Sequence, residues 1–316
     1  MKKLSLGLTG LMLSASTLLA DVNVLVTNIP QKLFVEKIGG GHVNVEAMVP
    51  PGANPHTYKP KPRQMVSVSK ADLYFTIGIE FEEAWMSKLS AQNKKMQIEK
   101  MHEGVTLLEF DNHEEEHDEH GHMDHDAHDE HDEHEHHHHE GIDPHSWMSP
   151  SAVKIMAKNI LHALEHLDSN NAKAYKKHYE MFLKEIETTD HAIKHELKHV
   201  KKGTKFMVFH PGFGYFAHEY GLEQIAIEFE GKEPKPKMLA HMIEEAKHEG
   251  IKTVITSPEF SDKAAKTIAE AIGGSVVKLS PVSADWSENL INLAKIIAKD
   301  TIKKAKWGNQ PLRSGI

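Results

Sequence analysis

Short apolar segments alternate with helical segments twice along this chain, and this alternation limits the possible folds more than any other feature. The first series starts with VNVLV at Val22 and continues through VNVEA and ADLYFTIG. The second starts with KFMVF after residue 203 and continues through EQIAIEF, KTVITSP and SVVKLSP. Strands that alternate with helices form parallel sheets with helices on both faces. We therefore predict an α/β protein in which the second half repeats the architecture of the first.

A long helical region separates the two series. Apolar side chains recur there at helical spacing, at Tyr175, Tyr179, Phe182, Ile186 and Ile193. A helix of this length without a break would form a rigid connector between two lobes. The chain has 316 residues, and single cores rarely grow beyond about 250. We predict an N-terminal lobe, a helical connector and a C-terminal lobe, at residues 21–148, 149–202 and 203–316.

The first twenty residues are typical of a secretory signal peptide. Lys2 and Lys3 precede an apolar run through Leu13, and small and polar residues follow as far as Ala20. The apolar run is shorter than the roughly 20 residues that a membrane-spanning helix needs. The chain contains no cysteine, so no cysteine is present for a lipid anchor or a thiolate metal site. We therefore expect export to the periplasm.

The composition changes completely between His113 and His139. This segment holds twelve histidines and twelve acidic residues, and its apolar side chains are Met123 and Ala127. It cannot bury enough apolar surface to become ordered, so we predict a disordered loop. Its imidazoles and carboxylates would collect Zn²⁺ with low affinity, and the alternative is a solvated acidic tether.

The net charge and the spacing of apolar residues indicate which binding partners are expected. Lys and Arg number 37 against 46 Asp and Glu, which gives a net charge of −9. Without the twelve acidic residues of the histidine-rich loop the net charge becomes +3. No segment is strongly basic, so nucleic acid is not an expected partner. No heptad seam is present, and we expect a monomer.

Three histidines outside that loop share a setting in which proline stiffens the backbone. They are His56 in PPGANPHTYKPKP, His145 in GIDPHSWMSP and His210 in VFHPGFGYF. Each follows a predicted strand or begins a helix, and loops at the carboxyl ends of strands are where open α/β sheets bind ligands. Any one of 26 histidines is more often a surface or core residue. Convergence of all three would make a zinc-type site.

These motifs, in this order, resemble one family over essentially the whole mature chain. The features are PGANPHTYKPKPRQM followed by DLYFTIG, a His/Asp/Glu-rich insertion, GIDPHSWMSP, a long helix, FMVFHPGFGYFAHEYGL and VITSPEFS. The sequence resembles the metal-binding cluster of ABC-transporter solute-binding proteins, most closely the zinc-uptake, ZnuA-like type.

The resemblance implies two Rossmann-like lobes bridged by a rigid helix, with a metal ion in the interlobe cleft. It places the metal ligands at His56, His145 and His210. Manganese-type relatives have a carboxylate at the third position, whereas imidazole nitrogens favour Zn²⁺. The implied function is high-affinity Zn²⁺ capture and delivery to the membrane permease of an ABC importer, without enzymatic activity.

The chain departs from the family pattern at the fourth ligand. Some members use an aspartate where this chain has Ser280, in KLSPVSADW. Other zinc-type members have a carboxylate just before the first histidine, where this chain has Pro55. The fourth position is therefore left open between water and a carboxylate such as Glu259.

Two other functions compete with transport. Three histidines with an open water position also make a catalytic zinc site, as in a hydrolase, but none of His56, His145 and His210 lies in an HExxH motif. The second is a metal-buffering or adhesive protein that works through the histidine-rich loop. It predicts that deletion of residues 113–139 destroys tight metal binding, and the transport hypothesis predicts that one tight site survives.

Overall fold

The computed structural model describes residues 22–110, 141–228 and 234–307, and its first half forms a parallel sheet. The strand order is β2-β1-β3-β4, and every pair is parallel. The strands are β1 (Val22–Val26), β2 (Val43–Ala47), β3 (Leu73–Thr76) and β4 (Gln97–Lys100). The helices of this half are α1 (Ile29–Gly39), α2 (Pro62–Lys70) and α3 (Glu80–Gln92).

The helical region between the two sheets consists of two long helices, α4 (Pro150–Leu167) and α5 (Ala172–Leu197). The predicted apolar stripe of α5 faces inward, and Tyr175, Phe182, Ile186 and Ile193 are all buried. This stripe explains why α5 forms, because burying it against neighbouring helices stabilises a helix that carries charged residues elsewhere.

The second half repeats the first sheet in its connectivity. The strand order is β6-β5-β7-β8, again with every pair parallel. The strands are β5 (Thr204–Val208), β6 (Leu222–Ala226), β7 (Thr253–Thr256) and β8 (Ser275–Lys278). The helices are α6 (Gly214–Tyr220), α7 (Pro236–His248), α8 (Lys263–Ala271) and α9 (Trp286–Trp307). The prediction of an α/β protein with two parallel sheets is confirmed.

Helix α5 joins the two halves through its packing partners. It lies against α4, against α1 of the first half and against α9 at the end of the second. The ring of Phe34 on α1 lies 5.6 Å from that of Phe182 on α5 and 5.5 Å, edge-on, from that of Trp286 on α9. These aromatic contacts place three helices from distant parts of the sequence in one core.

The strand order creates a natural binding position in each sheet. Strand β1 lies between β2 and β3, and β5 lies between β6 and β7. The connections that leave β1 and β5 therefore diverge from those that leave β3 and β7. Ligands in open α/β sheets bind at the carboxyl ends of the strands at such points.

Strand β4 is the element that the sequence did not predict. Its residues Gln97–Lys100 form the edge of the first sheet, and all four are exposed. An exposed edge strand carries no apolar alternation, so periodicity could not detect it.

The predicted signal peptide, residues 1–20, and the predicted loop, residues 113–139, lie outside the described residues. Among the described helices, none combines the length and apolar character needed to cross a membrane.

Candidate metal centre

The structure brings His56, His145 and His210 together. One ring nitrogen from each lies within 4.8 Å of the others. The Nε2 atom of His210 is 3.2 Å from the Nε2 atom of His56 and 3.2 Å from that of His145. Among the described residues, these three form the one group of histidines and carboxylates close enough to hold a metal ion.

Each histidine reaches this point from a different part of the fold. His56 lies in the loop between β2 and α2, where its backbone N–H donates to the Asn54 side chain at 2.9 Å. His210 follows the carboxyl end of β5, at the point where the strand order of the second sheet diverges. His145 comes just before the short 3₁₀ turn of Ser146–Met148 that leads into α4. The site therefore combines both halves of the chain.

Aromatic rings surround the two more deeply placed histidines. His145 is 1% exposed and His210 is 8% exposed. The Phe260 ring stacks on His210 with centroids 4.4 Å apart, and the Trp147 ring lies 5.2 Å from His145. These rings exclude water from one side of the site, which strengthens electrostatic interactions within it.

The second ring nitrogen of each histidine contacts a carboxylate. The Nδ1–oxygen distances are 2.8 Å for His56 with Glu80, 2.7 Å for His145 with Asp143 and 3.2 Å for His210 with Glu228. Ring nitrogens that face carboxylates in this way are a common feature of histidines that bind metals. The proline-flanked motifs predicted the three histidines but none of these three carboxylates.

The electrostatics of the site keep His210 neutral and Glu80 charged. Burial lowers the pKa of His210 well below its usual value, and the electrostatic influence of the adjacent His145 and His56 lowers it further. Burial by itself would raise the pKa of Glu80, but the hydrogen bond to His56 and the electrostatic interaction with it outweigh burial and lower this pKa to about 2. A neutral imidazole is the form that binds a metal ion.

Glu259, the carboxylate considered for the fourth ligand position, contacts Ser280. Its Oε1 atom accepts a hydrogen bond of 2.9 Å from the Ser280 hydroxyl, and its Oε2 atom is buried without a hydrogen-bond partner among the described residues. The three-histidine group does not include Glu259. The Ser280 hydroxyl also accepts from the Val282 backbone N–H at 3.1 Å, so this serine is already engaged on both sides.

A glycine is required next to Asp143, and its replacement is expected to weaken metal binding. A Cβ atom at Gly214 would lie 2.6 Å from Oδ2 of Asp143. Asp143 is buried and accepts hydrogen bonds from both the backbone and the ring of His145, so it has little freedom to move. We expect Gly214→Ala to lower Zn²⁺ affinity about 10–100-fold, the usual cost of disturbing a group that orients a metal ligand.

The matched control for this substitution is Gly141→Ala. A Cβ atom at Gly141 would meet nothing within 4 Å, although Gly141 is only two positions from Asp143. Affinities would be measured by competition with a fluorescent zinc chelator. Equal affinities for the two variants would show that Asp143 does not depend on the space beside Gly214.

Comparison with known proteins identifies the family. The family model "Zinc-uptake complex component A periplasmic", ZnuA, matches residues 24–301. The chain belongs to the ZnuA family. It is 30% identical over 257 residues to the high-affinity zinc uptake system protein ZnuA of Bacillus subtilis, covering 80% of this chain and 76% of that protein. A crystal structure of a ZnuA superposes with a TM-score of 0.76 at 36% identity, covering 88% of this chain and 98% of the other.

Relatives of this ZnuA-family chain differ in the metal that they are named for. The zinc-binding protein AdcA of Streptococcus pyogenes is 28% identical over 83% of this chain and 50% of its own length. The manganese ABC transporter substrate-binding lipoprotein PsaA of Streptococcus mitis is 26% identical over 79% of this chain and 76% of its own length. The relatives described above are named for metal uptake, metal binding or metal transport and not for an enzymatic activity, which rules against the hydrolase alternative.

As a member of the ZnuA family, the chain is a metal-binding component of an ABC importer.

The three carboxylates beside the site histidines were not predicted from the sequence, and the reasons differ between them. Asp143 lies two residues before His145 in the same motif, so its position was a usable signal. Glu80 and Glu228 lie 24 and 18 residues from their histidines, and no local pattern links them.

Proposed function

We propose that this protein captures Zn²⁺ with high affinity in the periplasm and delivers it to the membrane permease of an ABC importer. His56, His145 and His210 are the proposed ligands, and the zinc ion lies between the N-terminal and C-terminal lobes. The proposed exported form starts near Asp21, lacks residues 1–20 and is a monomer. We also propose that the N-terminal lobe ends at residue 148 and that the helical connector ends at residue 202, where the C-terminal lobe begins.

The spacing of the ring nitrogens is the observation that carries this proposal. Two nitrogens bound to a tetrahedral zinc ion at about 2.0–2.1 Å lie roughly 3.3–3.4 Å from each other. Both His210 contacts, to His56 and to His145, measure 3.2 Å between Nε2 atoms. The side chains therefore need little rearrangement to surround the ion, so binding costs little conformational entropy.

Ligand chemistry supports zinc over manganese. Imidazole nitrogen suits Zn²⁺, whereas Mn²⁺ prefers carboxylate, carbonyl and water oxygens. The carboxylates of this site contact the Nδ1 atoms of the histidines, on the side away from the converging nitrogens. Three imidazoles leave the fourth tetrahedral position to water or to Glu259. The B. subtilis relative is named for zinc uptake, and a ZnuA deletion mutant 36% identical to this chain was solved with zinc bound.

The experiment that tests this function is a calorimetric zinc titration of the metal-stripped protein. Three forms would be compared: the chain from Asp21, the same chain without residues 113–139, and the chain with all three site histidines replaced by alanine. We expect one tight site in the first two forms and its loss in the third. Additional weak sites should disappear with the deletion of residues 113–139, because we expect the imidazoles and carboxylates of this segment to bind metal with low affinity.

The same titration distinguishes transport from buffering. Loss of the tight site on loop deletion, with no effect of the three substitutions, would reject the site and support a metal-buffering protein. The metal selectivity would be measured by titrating the same protein with Mn²⁺, and we expect Mn²⁺ to bind much more weakly than Zn²⁺. Tighter binding of Mn²⁺ than of Zn²⁺ would contradict the proposed cargo.

A further inference from the structure

We infer that Glu80, Asp143 and Glu228 are positioning residues that hold the ligand histidines in the tautomer able to bind metal. This inference rests on the proposed function for the identity of the ligands. Each carboxylate contacts the Nδ1 atom of one histidine, at 2.8, 2.7 and 3.2 Å. Three separate contacts of the same kind, made by three parts of the chain, indicate a shared role.

The direction of these hydrogen bonds determines the tautomer. An ionised carboxylate can only accept hydrogen bonds, so the ring nitrogen facing it must carry the hydrogen. A neutral imidazole has one N–H group. When that group is Nδ1–H, the Nε2 atom carries a free lone pair and can bind a metal ion.

The short Nε2–Nε2 distances explain why the tautomer matters here. At 3.2 Å, an Nε2–H group on His210 could donate to the Nε2 atom of His56 or His145. Such a bond would place a hydrogen where the metal belongs. Carboxylates that keep the hydrogen on Nδ1 prevent this competing bond and leave the Nε2 lone pairs of all three histidines available to one metal ion.

The three carboxylates are not equivalent, and Asp143 is expected to contribute most. It is 2% exposed, and its Oδ1 atom accepts from both the ring of His145 and the His145 backbone N–H, at 2.7 and 2.8 Å. The Glu228 side chain is also buried, but its contact with His210 is longer. The Glu80 side chain is 41% exposed, so water can replace its hydrogen bond.

The test replaces each carboxylate by its amide, which retains size but can present an NH₂ group to the ring. An amide donor facing Nδ1 would favour the opposite tautomer, with the hydrogen on Nε2. Histidine tautomers would be read in zinc-free protein by long-range ¹H–¹⁵N NMR, and zinc affinity by chelator competition. The variants are Asp143→Asn, Glu228→Gln and Glu80→Gln, with exposed Glu180→Gln as the control.

We expect Asp143→Asn to shift His145 toward the Nε2–H tautomer and to weaken zinc binding about 10–100-fold. Glu228→Gln should act on His210 in the same way with a smaller loss, and Glu80→Gln should show the smallest. Glu180→Gln should change neither readout. A thermal unfolding curve shows whether the Asp143→Asn variant folds. If it does not fold, Glu228→Gln provides the same test at His210.

The outcomes separate this inference from the proposed function. If the unaltered protein binds zinc tightly, and the amide variants keep both the Nδ1–H tautomers and that affinity, the inference is wrong and the function stands. If the unaltered protein does not bind zinc tightly, the proposed function fails. The tautomers can still be read in that case, because they are measured without metal.

Discussion

Replacement of His210 by alanine is expected to weaken Zn²⁺ binding at least about 100-fold. Zinc binding at a four-ligand site is worth roughly 10–16 kcal/mol, so one ligand accounts for about 3 kcal/mol, which is about two orders of magnitude in Kd. His210 contacts both other histidines through its Nε2 atom and lies between them. Its loss should therefore be at least as damaging as the loss of His56, which lies at the more exposed side of the site.

The measurement is a competition titration with a chelator of known affinity, applied to each single alanine variant. The matched control replaces three exposed histidines on α4 and α5 at once: His162, His191 and His195. This control removes as many imidazoles as the full site variant. If it weakened the tight site as much as His210→Ala does, binding would depend on total histidine content and the three-histidine site would be wrong.

Replacement of Trp147 by alanine is expected to cost about 3–5 kcal/mol of unfolding free energy, the usual range for removing a large buried aromatic side chain. Trp147 is 0% exposed. Its indole N–H donates to the Pro281 carbonyl at 2.7 Å, and its own carbonyl accepts from the Trp286 indole N–H at 2.7 Å. The residue thus joins the segment after His145 to the start of α9, so its loss weakens contacts between distant parts of the chain.

A milder substitution isolates the hydrogen bond within this contact. Trp147→Phe keeps most of the ring but leaves the Pro281 carbonyl without its donor, at an expected cost of about 1–3 kcal/mol. The control is Trp85→Phe, since Trp85 is partly exposed on α3 and Lys88 lies over its ring. Thermal unfolding followed by circular dichroism without zinc gives both values. Equal melting temperatures for the two variants would show that the Trp147 hydrogen bond does not stabilise the fold.

Most of the fold could be predicted from sequence because the buried strands have a strong local signal. Parallel strands covered on both faces are apolar along their length, as in VNVLV of β1 and TVIT of β7. The stripe from Tyr175 to Ile193 marked α5 in the same way. Strand β4, whose residues Gln97–Lys100 are all exposed, lacked that signal. It forms because the edge of β3 offers it backbone partners.

The sequence by itself determined the α/β class, the two repeated halves and the three histidines, because apolar periodicity and proline-flanked motifs are local features of the chain. The tertiary structure alone decided the distances between Nε2 atoms and the pairing of Glu80 and Glu228 with their histidines. It also showed that Gly214 must leave room for Asp143. These features depend on how residues far apart in sequence meet near the carboxyl ends of strands in the two sheets. Such contacts are set by the packing of the whole chain, which no local pattern encodes.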